Sequence, residues 1–219
     1  MAHLSELIQV SKAFVAIYEK KPEDIPKLPV PLENDAVVVD ALQSDKTWVL
    51  VKKVIECGFI PDKQPKYKVI PPLFLACIMD ECPSEIIKLL IDSGAPVNQR
   101  LEVVPEELKD QFGYFINMTP LQLACIYRND SHYNTVKTLL ENGADVNVKV
   151  NGHIPLIHWH IALDIQGEPS KRLIDLLLSY GLKIDERDNF NMTPHELAER
   201  IYGSNCYLTK YLAKKTNKS

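Results

Sequence analysis

The chain has 219 residues, 46% hydrophobic and 25% charged, which is enough apolar material for a filled core and argues against disorder. Its net charge is −4, from 25 basic and 29 acidic residues, which argues against a nucleic-acid binder working through a broad basic surface. No apolar run reaches the roughly 18 residues of a membrane-spanning helix, and the N-terminus lacks the pattern of a secretory leader. The expected setting is therefore cytoplasmic, and five scattered cysteines agree with buried thiols in a reducing compartment.

The first predicted element covers residues 4–18. Leu4, Leu7, Ile8, Ser11, Phe14, Val15 and Tyr18 fall on one helical face, as a capping helix requires. Residues 20–34 contain Pro22, Pro26, Pro29 and Pro31, so they are expected to run extended, as a spacer or a strap over the first helical unit.

From there the chain repeats. Gly58, Gly94, Gly143 and Gly181 each precede an apolar residue and, four places on, an Asp or Asn: Asp62, Asn98, Asn147 and Asp185. Each follows an apolar pair: Val54-Ile55, Leu90-Ile91, Leu139-Leu140 and Leu177-Leu178. The chain holds only eight glycines, so four in one slot mark a structural unit. The pattern predicts a helix ended by a left-handed Gly, then a turn in which Asp or Asn bonds local backbone.

Upstream stand Pro72-Leu73-Phe74-Leu75-Ala76-Cys77, Thr119-Pro120-Leu121-Gln122-Leu123-Ala124-Cys125, the decayed Pro155-Leu156-Ile157, and Thr193-Pro194-His195-Glu196-Leu197-Ala198. Proline at the first helical position sacrifices no needed donor, and a preceding Thr caps the helix. Each unit therefore reads as a turn, a short helix, a loop, a second helix and a Gly. Between the second and third units, residues 99–117 are an insertion with a short helix predicted over 103–112 and an aromatic tip at Tyr114 and Phe115. The tip is either tucked against the repeats or offered to a partner.

These motifs resemble the ankyrin repeat family over about residues 36–213. The resemblance implies an all-α ankyrin-repeat solenoid of about five units with an N-terminal capping helix. The expected organisation is residues 1–34 as helix and spacer and 35–219 as the repeat domain, with units at about 36–62, 71–98, 118–147, 154–185 and 192–213. The family's usual His after Thr-Pro-Leu is replaced, on this register, by Phe74, Gln122, Ile157 and Glu196, so a weaker or different hydrogen-bond network between units is expected.

The resemblance also implies a concave face built from turn tips and the exposed ends of the first helices. Carried over by position, it comprises Ile78, Met79, Ile126, Tyr127 and Arg200 on the helices and Phe115 and His153 at the tips, with Trp159 helping to line it. Ile78, Met79, Phe115, Ile126 and Tyr127 are apolar enough for the centre of an interface, unless the insertion folds back over them.

No motif carries catalysis. There is no phosphate loop, no Cys-x-x-Cys pair and no nucleophile elbow. His158 and His160 diverge by about 200° on a helix, so no metal site is expected. Cys77 and Cys125 share a packing slot. The expected function is non-catalytic recognition of another protein, with no cofactor, nucleic acid, membrane or small-molecule substrate. The alternative is an inhibitor or effector that blocks a target enzyme with residues 99–117, acting in a host cell if delivered there.

Overall fold

The computed structural model describes residues 9, 11–13, 16–17, 21–28, 32–43, 48–61, 70–79, 82–102, 104, 106, 109–126, 130–162 and 171–216. Within the 4–18 segment, residues 9, 11–13, 16 and 17 are helical. The face buried there is that of Ala13, Ala16 and Ile17, opposite the expected stripe, whose described member Ser11 is exposed and whose other members lie outside the described residues.

Five helix pairs succeed it in chain order. They are α1 (Asp35–Gln43) with α2 (Trp48–Glu56), α3 (Pro72–Ile78) with α4 (Ser84–Asp92), α6 (Pro120–Ile126) with α7 (Asp130–Glu141), α8 (Leu156–Ala162) with α9 (Lys171–Ser179), and α10 (Pro194–Tyr202) with α11 (Tyr207–Thr216). A single turn, α5 (Lys109–Phe112), lies in the insertion and runs into a 3-10 turn, Gly113–Phe115. The first helices stack in order, α1 on α3, α3 on α6, α6 on α8 and α8 on α10, while α2, α4 and α7 stack in a second layer. One continuous core runs between the layers, from Val37 and Leu50 through Leu121 and Leu139 to Ile174 and Leu212. This is an all-α solenoid, in which each unit buries its apolar face against its neighbours.

The helix ends explain the glycines. Gly58, Gly94, Gly143 and Gly181 all have φ between +85° and +106°. Behind three of them the next amide reaches back five residues, Ala95 to Leu90, Ala144 to Leu139 and Leu182 to Leu177, each at 3.0–3.1 Å. This is the closure that a left-handed residue permits, and it satisfies carbonyls the helix would otherwise leave open.

At the first unit the Gly has a further reason. A Cβ on Gly58 would come within 3.2 Å of the Leu28 side chain. Here the proline-rich segment crosses the unit: Leu28 N–H donates to Cys57 O and Leu32 N–H to Gly58 O, both at 2.8 Å. Strand β1 (Leu32–Glu33) pairs in parallel with β2 (Phe59–Ile60), and Phe59 is fully buried beneath the contact. Asn34 then caps α1, its Oδ1 accepting the Val37 N–H at 3.1 Å.

The two Asn residues of this slot, Asn98 and Asn147, behave differently from the expected local turn. Asn98 donates from Nδ2 to Gly143 O at 2.9 Å and accepts the Asp145 N–H at 2.8 Å. Asn147 repeats the arrangement one unit on, with Gly181 O at 3.0 Å and the Lys183 N–H at 3.1 Å. Each carboxamide bridges to the backbone of the next unit, because stacking brings the two turns side by side.

The fifth unit begins with a complete capping box. Thr193 Oγ1 accepts the Glu196 N–H at 3.2 Å and Glu196 Oε2 accepts the Thr193 N–H at 2.7 Å. Thr193→Ala is expected to lower stability by about 1 kcal/mol, measured by urea denaturation.

Candidate protein-binding face

The first helices align by their opening hydrogen bonds. Leu75 donates to Pro71 O, Leu123 to Thr119 O, Trp159 to Pro155 O and Leu197 to Thr193 O. These bonds set the register: Trp159 stands where Leu75, Leu123 and Leu197 stand, and helix α8 starts one residue after its proline. The residue in the His slot of the fourth unit is therefore His158, which corrects the assignment of Ile157. The sequence misled because Pro155 occupies the position held by Thr in two other units.

The His slot joins neighbouring units. Gln122 Nε2 donates to Val148 O at 2.7 Å while its Oε1 accepts the Thr119 N–H at 2.9 Å. His158 Nε2 lies 2.7 Å from Met192 O and donates to it. Both side chains are about 1% exposed; Gln122 gives the buried Thr119 N–H its acceptor, and both reach part-buried carbonyls of the next turn.

Burial holds the His158 ring below the ordinary imidazole range, against the opposing pull of the Met192 carbonyl and of Asp188 and Glu186. An imidazole in the unfolded chain, near pH ~6.5, binds the proton more readily. The stability from the neutral ring is therefore complete above that value and lost as pH falls below it. Compared with wild type, His158→Gln should show a smaller fall in Tm between about pH 7.5 and about pH 5.5, followed by circular dichroism.

The slot seven residues after the opening acceptor holds Ile78, Ile126 and Ala162, each the last residue of its helix, and Arg200, two residues before the end of α10. Ile78 and Ile126 are half-buried and pack against the core, whereas Ala162 and Arg200 are exposed. The strip thus changes from apolar at the second and third units to polar at the fifth. Met79 comes after Ile78, half-buried, and caps α3 through its N–H to Leu75 O at 3.1 Å. Arg200 approaches the Met192 sulfur at 3.7 Å. Trp159 sits partly buried against the core. Tyr127 lies outside the described residues.

The turn tips lie between successive units. The insertion is tied down at its base, where Leu101 N–H donates to Met118 O at 2.9 Å and Asn117 N–H to Leu101 O at 2.8 Å. Arg100 reaches over to Asn117 O and, at 3.4 Å, to Lys149 O of the next turn. Leu101 and Val104 are buried anchors. The aromatic tip divides: Phe115 is half-buried against the core, and Tyr114 beside it is 84% exposed.

The next tip carries exposed His153, closed by the Val150–Ile154 bridge. The last carries Phe190, 72% exposed, on a turn held by Asp188 Oδ1 accepting the Phe190 and Met192 N–H groups at 2.9 Å. Repeat position alone does not assign Tyr114 and Phe190 to the face. For Phe190 a signal is present, since it stands directly before Asn191, one of the three Asn residues with positive φ (Asn117, Asn151 and Asn191) among the described residues. Nothing in the sequence separates Tyr114 from Phe115, which packs on the core.

The buried thiols have no place in such a face. Burial pushes Cys82 and Cys125 up to about 12 and Cys77 well up, so they stay protonated at neutral pH. His158 and His160 reach in opposite directions, to Met192 of the following unit and to Cys125 O of the preceding one. Among the described residues no helix is long and apolar enough to cross a membrane.

A family model described as ankyrin repeats (3 copies) matches residues 40–150, half of the chain. The chain belongs to the ankyrin repeat family. Ankyrin repeat protein B18 of Variola virus, matched in two sequences, is 27% identical over 116 residues, which is 48% of this chain and 20% of the relative. The chain thus spans about a fifth of the length of these curated relatives. Ankyrin repeats are in general protein–protein interaction modules and non-catalytic.

Proposed function

We propose that the chain holds another protein along the first-helix strip and the turn tips, without catalysis. The observation that carries this reading is the pair of exposed aromatic tips, Tyr114 at 84% and Phe190 at 72%, which flank a polar tip with His153. Aromatic side chains left in water at turn tips are the composition of interface anchors. The apolar residues Ile78, Met79 and Ile126 support a continuous contact behind them, with Phe115 between strip and tip, and Arg200 gives its far end a charge. Tyr127 belongs to the strip by repeat position, and Trp159 supports it from the packing layer.

The matched relatives come from a virus, which supports a reading in which the chain acts inside a host cell. The second reading, blockade of a target enzyme by residues 99–117, draws support from Tyr114 alone. Affinity capture from a lysate of the source or host cell separates the two. With Tyr114→Ser and Phe190→Ser combined, the catch of a specific partner should fall by about thirtyfold, the weight of a hot-spot aromatic. Tyr114→Ser alone suffices if the insertion is the whole site. An undiminished catch from the double variant overturns the tip-centred reading.

A further inference from the structure

The second-helix layer carries a feature that the protein-holding face does not use. Helices α9 and α11 together hold Lys171, Arg172, Lys210, Lys214 and Lys215 against one acid, Asp175. These six groups sum to +4 in a chain of net charge −4, so the remainder carries −8. Two shallow depressions join there. One, of about 520 Å³, is lined by Tyr133, Lys171, Arg172, Asp175, Leu176 and Ser179. The other, of about 460 Å³, shares Lys171 and Asp175 and continues along α11 past Tyr207 and Tyr211.

The furrow is ordered before anything enters it. The Arg172 guanidinium lies 4.0 Å over the Tyr133 ring. Lys171 and Lys215 lie 5.8 Å and 5.4 Å from the Tyr211 ring, which stacks on Tyr207 at 6.2 Å. Cations held over aromatic faces lose less side-chain freedom when an anion arrives. The furrow also shows what it grips: Asp175 accepts the Tyr211 hydroxyl and pairs with Lys215 Nζ at 2.9 Å. Burial alone would raise the Asp175 carboxyl, but the Tyr211 and Lys215 contacts outweigh it and bring it below its ordinary value. The ammonium groups of Lys210 and Lys214, both exposed residues, form no ion pair among the described residues.

We propose that this furrow is a second docking site, which takes an acidic segment of a partner protein. Its charge and its existing carboxylate contact match Asp or Glu side chains presented in an extended stretch. A nucleic acid is the poorer match, because a long polyanion would extend past these three helices, and the remainder of the chain carries net −8. A lipid bilayer is poorer too, since Tyr207 at 50% exposure is the one large apolar side chain exposed on α9 or α11 among the described residues. The site lies on α7, α9 and α11, away from the first-helix strip and the tips, so it stands or falls separately from them.

The test is fluorescence anisotropy on the full chain with a short labelled peptide of glutamates alternating with serine. Its glutamine analogue, a uridine oligonucleotide and phosphatidylserine vesicles serve as comparisons. The glutamate peptide should bind and the glutamine peptide should not. Lys210→Glu with Lys214→Glu should weaken binding at least about tenfold at unchanged Tm. Raising salt from ~50 to ~300 mM should weaken it further. Arg172→Gln, a milder change, should weaken it less but measurably, while Tyr114→Ser with Phe190→Ser should leave it unchanged. No binding of the glutamate peptide, or binding indifferent to the Lys210 and Lys214 changes, overturns the proposal. Tighter binding of the oligonucleotide or vesicles, lost in the same variant, overturns it in favour of that class.

Discussion

Leu139→Ala is expected to cost about 2–5 kcal/mol of folding stability. Leu139 is fully buried in α7, at the first position of the apolar pair before Gly143. Helix α7 packs on both α6 and α4, so a cavity there loosens the third unit and its contact with the second. The Leu139 carbonyl also accepts the Ala144 N–H at 3.0 Å, so any shift that fills the cavity disturbs the helix end. The penalty should therefore lie toward the upper part of that range. The control is Lys137→Ala, one helix face away, where the Lys137–Glu141 pair at 3.7 Å is about half exposed on each side. That change should stay within about 0.5 kcal/mol, because exposed pairs contribute little. Urea denaturation of the two variants reads the contrast, and equal losses would contradict this packing.

Gln122→Ala carries the second large effect. Its carboxamide is the partner of the buried Thr119 N–H and of Val148 O, so truncation leaves a donor and an acceptor without partners and opens a void. A stability loss of about 2–4 kcal/mol is expected from the desolvation cost of such orphaned groups. Gln122→His should recover more than half of that loss. The chain already uses an imidazole in this slot, where His158 donates to Met192 O of the following turn. An Ala and a His variant of equal stability would show that the slot is occupied for volume alone.

Much of this architecture is legible in the sequence because it is periodic. Four glycines in one slot, each behind an apolar pair, locate the second-helix ends to the residue, and all four adopt the left-handed conformation. The Thr-Pro starts locate α6 and α10, since cap chemistry is local. What the sequence hides is what repeats do to one another. Asn98 and Asn147 read as local turn formers, yet their partners lie 45–47 and 34–36 residues away and exist only once the units stack. The His slot of the fourth unit is displaced by one residue, because Pro155 imitates a start signal that belongs to Leu156. The binding face is legible as a set of slots. Its exposures are not: Ile78 and Ile126 are drawn half into the core, and Tyr114 and Phe190 take the exposed positions. The cationic furrow escapes a linear reading because its charges come from two helices that meet through Tyr211 and Asp175, distant in sequence.

The asparagine bridges set an order of opening. A carboxamide offers one donor and one acceptor, which is what two adjoining turns require of it, and a carboxylate in the same slot has no donor to give. The bridges therefore fasten the second unit to the third and the third to the fourth, and stop at Asp185. Amides in the middle three units should surrender their protons to deuterium as one cooperative block, and those of the fifth unit earlier. A partner that touched the Phe190 tip would then gain adaptability at that end, while the Tyr114 end met it already rigid.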